Sequence, residues 1–466
     1  MNNSTSRRPP GPSFKWLGFA NLIALKHDYL GFVSSLQKTY GDITYMRILN
    51  ERAFDLLSPD LVREALVDNA EHLIRWERGI EVFEQVFGKS VLVTEGELWK
   101  RQRRMLMPAF TPKRVAGYAN LMRGAATAAL DAAVPHGEVD ALVSMDALFS
   151  GLTMDVILRT LFGHVVTERE TNLASAATTT LGEVAMREMF RPFTLPDWLP
   201  LPGKAAKRQA LRTLQTLVSK HIRQHRENAT SQSDDLLSRL LSLRDEDTGS
   251  VLSETEVFDQ CIVSFQAGHE TSATALLWWS RLLAEHPDVE QRIHEELDQV
   301  LGGRDPQPED LPFLVFLGAS LKEAMRMYPP IAAVMTRRTT REIRLGGWHV
   351  PRGSLLRITP WVLHRDPRWY QEPDAFKPER FLTDAPQHPR GAWMPFGTGP
   401  RVCIGQHFAT LEMTLIGAML LQRYRLALPS DAPKHCEPIL NVTLRPHLGV
   451  KLHLTRIQVF ATKLDQ

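Results

Sequence analysis

Cysteine is scarce in this chain. Its 466 residues include three, Cys261, Cys403 and Cys436. They are odd in number and far apart, which excludes a disulfide framework and points to a reducing compartment. An excess of one charge is lacking as well. Lysine and arginine number 55, aspartate and glutamate 53, and the formal net charge is +2. Neither a bulk nucleic-acid binder nor a polybasic membrane protein is expected from that balance. Long hydrophobic runs are missing too, since no stretch reaches the roughly 18 uninterrupted apolar residues that a bilayer span needs. The best candidate, Phe14 to Leu25, is short and contains Lys15. No transmembrane anchor is therefore expected, nor, since no A-x-A-like cleavage site follows the run, a signal peptide, and at most a weak interfacial contact. What is present is ordinary for a globular protein: 43% apolar and 23% charged residues, with 28 glycines and 30 prolines. A soluble cytoplasmic protein is the expectation. The remaining question is whether one of the three cysteines is a ligand or a nucleophile.

Along the chain, residues 1–26 read as a Pro-rich leader (RRPPGP). A helix is predicted over 27–40, then a hairpin from 41–48 and 52–57. Helical periodicity runs through 113–133, 141–163, 167–190 and 204–228. The break at 191–203 carries Pro192, Pro196, Pro200 and Pro202 and cannot continue a helix. Ser253 and Glu256 form a capping-box pattern that opens a helix over 253–285, ended by Pro287. At about 1.5 Å per residue it would be about 48 Å long. After Pro329 the pattern changes: 341–350 reads as a hairpin around Gly346-Gly347 and 355–359 as a strand. Residues 366–402 read as ordered but irregular, and a helix resumes at Ile404. Without repeats or a linker, residues 27–466 are expected to form one large domain, mainly α with small β-sheets.

The most informative segment is FGTGPRVCIG, residues 396–405. Cys403 sits where an irregular loop gives way to a helix, and the partial positive charge of a helix N-terminus stabilises a thiolate. Gly397, Gly399 and Gly405 allow the backbone to approach a flat group closely. Arg401 could pair with an anionic edge of that group.

These ten residues resemble the cysteine-ligand loop of the cytochrome P-450 superfamily, F-x-x-G-x-R-x-C-x-G, with every fixed position filled. Other segments match in order. Glu323 and Arg326 resemble the family's E-x-x-R helix, and Pro378-Glu379-Arg380-Phe381 the motif whose arginine joins that pair. Residues 267–272, AGHETS, are similar to the A-G-x-[DE]-T-[TS] segment of the oxygen-binding helix, and Trp99 with Arg103 to the W-x-x-x-R helix.

The resemblance implies a fold and a set of roles. The fold would be an α-rich prism with the haem between the long helix and the Cys403 loop. Cys403 would be the axial thiolate ligand of the iron of haem b, in a loop with Phe396, Gly397, Arg401 and Gly405. Trp99, Arg103 and either Arg337 or Arg338 would hold propionates, with His72 a weaker candidate. Ala267 and Gly268 would leave room for dioxygen, while Glu270 and Thr271 would deliver protons. Glu323, Arg326 and Arg380 would form a buried structural network. His269 matches a variable position and is expected to pack.

The implied activity is monooxygenation, insertion of one oxygen atom of dioxygen into a lipophilic small molecule by C–H hydroxylation or epoxidation. No G-x-G-x-x-G follows a strand. Electrons would therefore come from NAD(P)H through a reductase and a ferredoxin or flavodoxin, docked on Lys100, Arg101, Arg104, Lys113 and Arg114. A peroxide-using haem-thiolate enzyme and a non-catalytic haem sensor are the alternatives, and retention of Glu270-Thr271 speaks against both. A monomer is expected. The expected pocket walls, including Phe83, Phe87, Phe190, Val263, Val334 and Met335, are apolar and bulky. Arg75 or Arg187 could hold a substrate carboxylate.

Overall fold

The computed structural model describes residues 8–13, 15–189, 191, 198–199, 202–227, 235–245, 249–333 and 335–457. Phe190, Val334 and most of the proline-rich break, expected at the pocket wall, lie outside the described residues.

The centre of the molecule is the helix Glu254–Glu285. The capping box that announces it in the sequence is formed: Ser253 Oγ accepts from Glu256 N at 3.2 Å, and Glu256 Oε2 accepts from Ser253 N at 2.8 Å. Its second half is largely buried, with Trp278 and Trp279 both inaccessible. Each indole N–H finds an acceptor, Leu444 O at 2.7 Å and Ser320 Oγ at 2.9 Å, as a buried donor requires. Packed around it are the helices Met145–Phe162, Glu168–Met189, Val315–Met327 and Gln406–Arg423. Pro287 does more than stop this helix. It occupies the first turn of the next one, Pro287–Leu301, where its missing N–H has no partner to lose.

A mixed five-stranded sheet lies to one side, in the order Ile43–Ile48, Glu51–Leu56, Leu355–Ile358, Met335–Thr339, Leu73–Arg75. The first two strands form the expected hairpin, and Glu51–Leu56 runs parallel to Leu355–Ile358. The Gly346-Gly347 hairpin also forms, with both glycines at positive φ, 56° and 80°, as a two-residue turn of this kind demands.

Three expectations change. Residues 1–26 are not leader throughout. Pro10 O accepts from Tyr45 N at 3.0 Å, and Phe19–His27 is a helix joined to the first strand through Asn21, which donates to Arg47 O at 3.2 Å. The helix predicted over 141–163 begins at Met145, because Asp140–Ser144 is a strand pairing with Lys451–Arg456. The segment 113–133 is two helices, Pro112–Ala116 and Ala119–Ala133, interrupted at Gly117. Among the described residues no helix is long and apolar enough to cross a membrane.

Candidate active site

Cys403 follows the single turn Gly399–Arg401 and precedes the helix Gln406–Arg423 by three residues. Its N–H donates to Phe396 O at 2.9 Å, which folds the loop back on itself. At Gly399, φ is 74° and a Cβ would overlap the Leu66 carbonyl oxygen, so glycine is required. The thiol of Cys403 has accessible surface. Nonetheless burial is the largest influence on it and pushes its pKa up, against a hydrogen bond from Gly405 N–H and the attraction of Arg103. A side chain that is both accessible and surrounded by protein faces an interior space. There, a thiol becomes a thiolate when a cation binds it directly.

Beside this thiol stands a cluster of guanidinium groups. Arg401 donates to Thr94 O at 2.9 Å and to Glu95 Oε2 at 2.5 Å, and its guanidinium lies 3.8 Å over the Trp99 ring. Arg75 uses its backbone N–H on Glu95 Oε1 at 3.2 Å, and its buried Nε has no hydrogen-bond partner. Burial lowers the pKa of Arg75 to about 9 and that of Arg401 to about 10, with repulsion from neighbouring guanidiniums, Arg337 among them, adding to both, and it lowers those of Arg337 and Arg103 as well. Among the described residues, Glu95 is the one carboxylate that offsets Arg75, Arg337 and Arg401.

Alternation along Met335–Thr339 separates the two neighbouring arginines that sequence alone could not distinguish. Arg338 points away from the cluster, bonding Glu51 at 2.9 Å through two nitrogens and Glu77 at 2.6 Å. Arg337 is the one whose charge is felt by Arg75 and Arg401. His72 instead pairs with Glu71 at 3.0 Å.

In the long helix, Ala267 is exposed between the buried Gln266 and His269, so it too faces an interior space. Thr271 Oγ1 donates to Ala267 O at 2.8 Å. Glu270 turns elsewhere. It accepts from Thr443 Oγ1 at 2.8 Å and lies 3.5 Å from Arg445 Nε. The acid and the alcohol are therefore adjacent in sequence but not bonded to one another. Gly268 has a packing reason for its missing side chain, because a Cβ would lie 3.1 Å from Ile157 Cδ1 on Met145–Phe162. Ala267 is the more exposed of the two, and Gly268 is half-buried. His269 is buried and hydrogen-bonded through Nδ1 to Phe265 O at 2.6 Å, a packing residue as expected.

The Glu323, Arg326 and Arg380 network is present. Arg326 makes two bonds to Glu323, at 2.7 and 2.8 Å, with both side chains inaccessible, and Arg380 Nε donates to Glu323 Oε1 at 3.2 Å. Arg326 also donates to the carbonyls of His364, Pro373 and Ala375. His364 was not anticipated from the sequence. It is fully buried, its Nδ1 lies 3.2 Å from Arg326 O, and its Nε2 accepts from Met394 N at 2.8 Å. It thereby ties the network to the segment leading into the Cys403 loop.

Among known proteins, the cytochrome P-450 family model matches residues 9–453. The chain belongs to the cytochrome P-450 family. It is 34% identical to a cyclooctat-9-en-7-ol 5-monooxygenase of Streptomyces melanosporofaciens, over 87% of this chain and 86% of the relative. It is 34% identical to a pentalenene oxygenase of Streptomyces avermitilis, over 91% and 92%. A cytokinin hydroxylase of Arabidopsis thaliana is 32% identical over 90% and 82%. The chain is an oxidoreductase, a cytochrome P-450 monooxygenase, and haem is the cofactor of its family. The residues present suit that group: an inward-facing thiol for the metal, and an excess of buried guanidinium over carboxylate, with Arg75 Nε making no hydrogen bond and lying 3.8 Å from Glu95 Oε1, for two carboxylates.

The expected docking cations are less free than their sequence suggests. Lys100 pairs with Glu97 at 2.7 Å, Arg101 with Glu256 at 2.7 Å, and Arg104 with the buried Asp245 at 2.9 Å. Lys113 and Arg114 are exposed.

Proposed function

We propose that this cytochrome P-450 oxygenates a cyclic, alkene-bearing hydrocarbon or its alcohol, using electrons from NAD(P)H passed through a reductase and a ferredoxin or flavodoxin. The observation that carries the reading is the conjunction of the inward-facing Cys403 thiol with the arginine cluster. When bound there, haem with a thiolate ligand supplies the activation of dioxygen. Cys403 would hold the iron, and Arg75, Arg103, Arg337, Arg401 and Trp99 the propionates. Thr271, whose hydroxyl rests on the Ala267 carbonyl, would hold a proton at the accessible face of the long helix. Glu270 must leave Thr443 to reach Thr271 or a water beside it, so its present bonds store the acid away from the site until it turns.

The substrate class rests on the names of the bacterial relatives, which denote cyclic unsaturated skeletons. An apolar lining is consistent with it. Phe83 and Phe87 stack with ring centres 5.5 Å apart, and Val263 is buried nearby on the long helix. We place the activity in a single haem-binding unit acting as a monomer in the cytoplasm.

Two measurements test the proposal. Cys403→Ser should abolish the thiolate-type carbon monoxide spectrum, and retention of that spectrum would falsify the ligand assignment. Turnover of cyclic alkenes with NAD(P)H and surrogate partners should exceed turnover with hydrogen peroxide alone. Product with peroxide only would make the protein a peroxygenase, and binding without product under either condition would make it a haem sensor.

A further inference from the structure

Glu95 stands where three elements meet. It is the residue before the helix Gly96–Leu106, which carries Trp99 and Arg103. One of its carboxylate oxygens takes the backbone N–H of Arg75, at the end of the strand Leu73–Arg75. The other takes Arg401 of the Cys403 loop. It does not cap its own helix, because no side-chain cap bond is formed there. Its carboxylate bonds both run to other elements, and the two arginines it touches lie on opposite sides of it in sequence, at separations of 20 and 306 residues.

Its charge has a consequence distinct from its bonds. Four guanidiniums converge here, on Arg75, Arg103, Arg337 and Arg401, and Glu95 opposes three of them. Two propionates entering this cluster would bring the count to three carboxylates against four cations. A fixed negative charge held within a few bonds of an electron acceptor, in a partly buried site of low dielectric, disfavours addition of an electron. Arg75 acts in the opposite sense.

Building on the haem reading above, we infer that Glu95 is a positioning residue that holds Arg75 and Arg401 toward the haem carboxylates, and that its own charge makes the bound haem harder to reduce. The test uses the purified holoprotein. Its thiolate-type carbon monoxide spectrum is recorded first, and absence of that spectrum in the native protein defeats the haem reading, separately from this inference. Midpoint potentials are then measured by spectroelectrochemistry. Glu95→Gln should shift the potential to more positive values, and Glu95→Asp should leave it near native. Glu51→Gln removes a carboxylate that neutralises Arg338 outside the cluster, and should also leave it near native. A native potential in Glu95→Gln with its spectrum intact overturns the inference, as does an equal shift in Glu51→Gln. Arg75→Gln supplies an arm that does not require Glu95→Gln to fold. It should shift the potential to more negative values, and no shift or a positive one overturns the inference too.

Discussion

A carboxyl group buried without a cation beside it is held as the acid. Glu412, on the helix that follows Cys403, is inaccessible, and neither of its oxygens has a hydrogen-bond partner of good geometry. Burial pushes its pKa up from 4.5 to about 8, with Ser272 of the long helix as the one neighbour that opposes the shift. The sign of the linkage follows. Between about pH 4.5 and about pH 8 the folded chain keeps a proton that the unfolded chain has released, so stability falls as pH rises through that window. Glu412→Gln keeps the shape and removes the titration. Denaturant unfolding should show the variant gaining on the native protein between about pH 5 and about pH 8 by at least ~1.4 kcal/mol, one unit of linkage. Parallel pH profiles would show that Glu412 is ionised in the native state. His364 is the contrasting case. It is also fully buried, but burial and nearby guanidiniums lower its pKa to about 3. It therefore stays neutral throughout the working range, and its two ring nitrogens keep fixed roles between Arg326 and Met394.

At the scale of elements, the same distinction between local and distant partners separates what could be read in the sequence from what could not. The long helix was legible because its signals are local: a 3.6 period, a capping box spanning three residues, and a proline just beyond the end. The Glu323–Arg326 pair was legible for the same reason, at one helical turn. The strand Asp140–Ser144 was not, because its five residues owe their conformation to a partner more than 300 residues away. Arg75 could be read only as a surface charge or as a holder of a substrate carboxylate, since its companions Glu95, Arg337 and Arg401 arrive from separate elements. The choice between Arg337 and Arg338 needed the register of a strand paired with Leu355–Ile358 on one side and with the distant Leu73–Arg75 on the other. Burial gives the Glu323 network its energetic weight. Glu323→Gln would leave the fully buried Arg326, and the partly buried Arg380, short of their counter-ion, a change that costs roughly 3–5 kcal/mol. Because Arg326 also holds the carbonyls of His364, Pro373 and Ala375, the loss should appear as reduced haem retention as well as an earlier unfolding midpoint. A variant that unfolds at the native midpoint would show that these bonds are not what secures the Cys403 segment.

At the scale of the whole molecule, near-neutral net charge conceals a local asymmetry that matters for electron delivery. Of the five cations expected to dock an acidic redox protein, three are occupied by carboxylates of this chain, and Lys113 and Arg114 on the short helix Pro112–Ala116 are left exposed. This changes which variant tests docking. Reversing Arg104 would set a carboxylate against Asp245, whose side chain is 1% exposed, so slower turnover there would report damage to the fold and not a lost partner contact. Reversing both Lys113 and Arg114 to glutamate removes two positive charges and adds two negative ones without breaking an ion pair described in the structure. Steering by exposed charges acts on encounter and is screened by salt. The double variant should accept electrons from an acidic ferredoxin at least ~10-fold more slowly at low ionic strength, a difference that should shrink toward unity at about 1 M salt, where the Debye length is about 3 Å. Its thermal midpoint should stay native. An unchanged rate at low salt would move the docking surface away from this helix. A loss of rate that persists at high salt would place the defect inside the protein, in the path from Pro112–Ala116 through the helix it packs on, Gln406–Arg423, to Cys403.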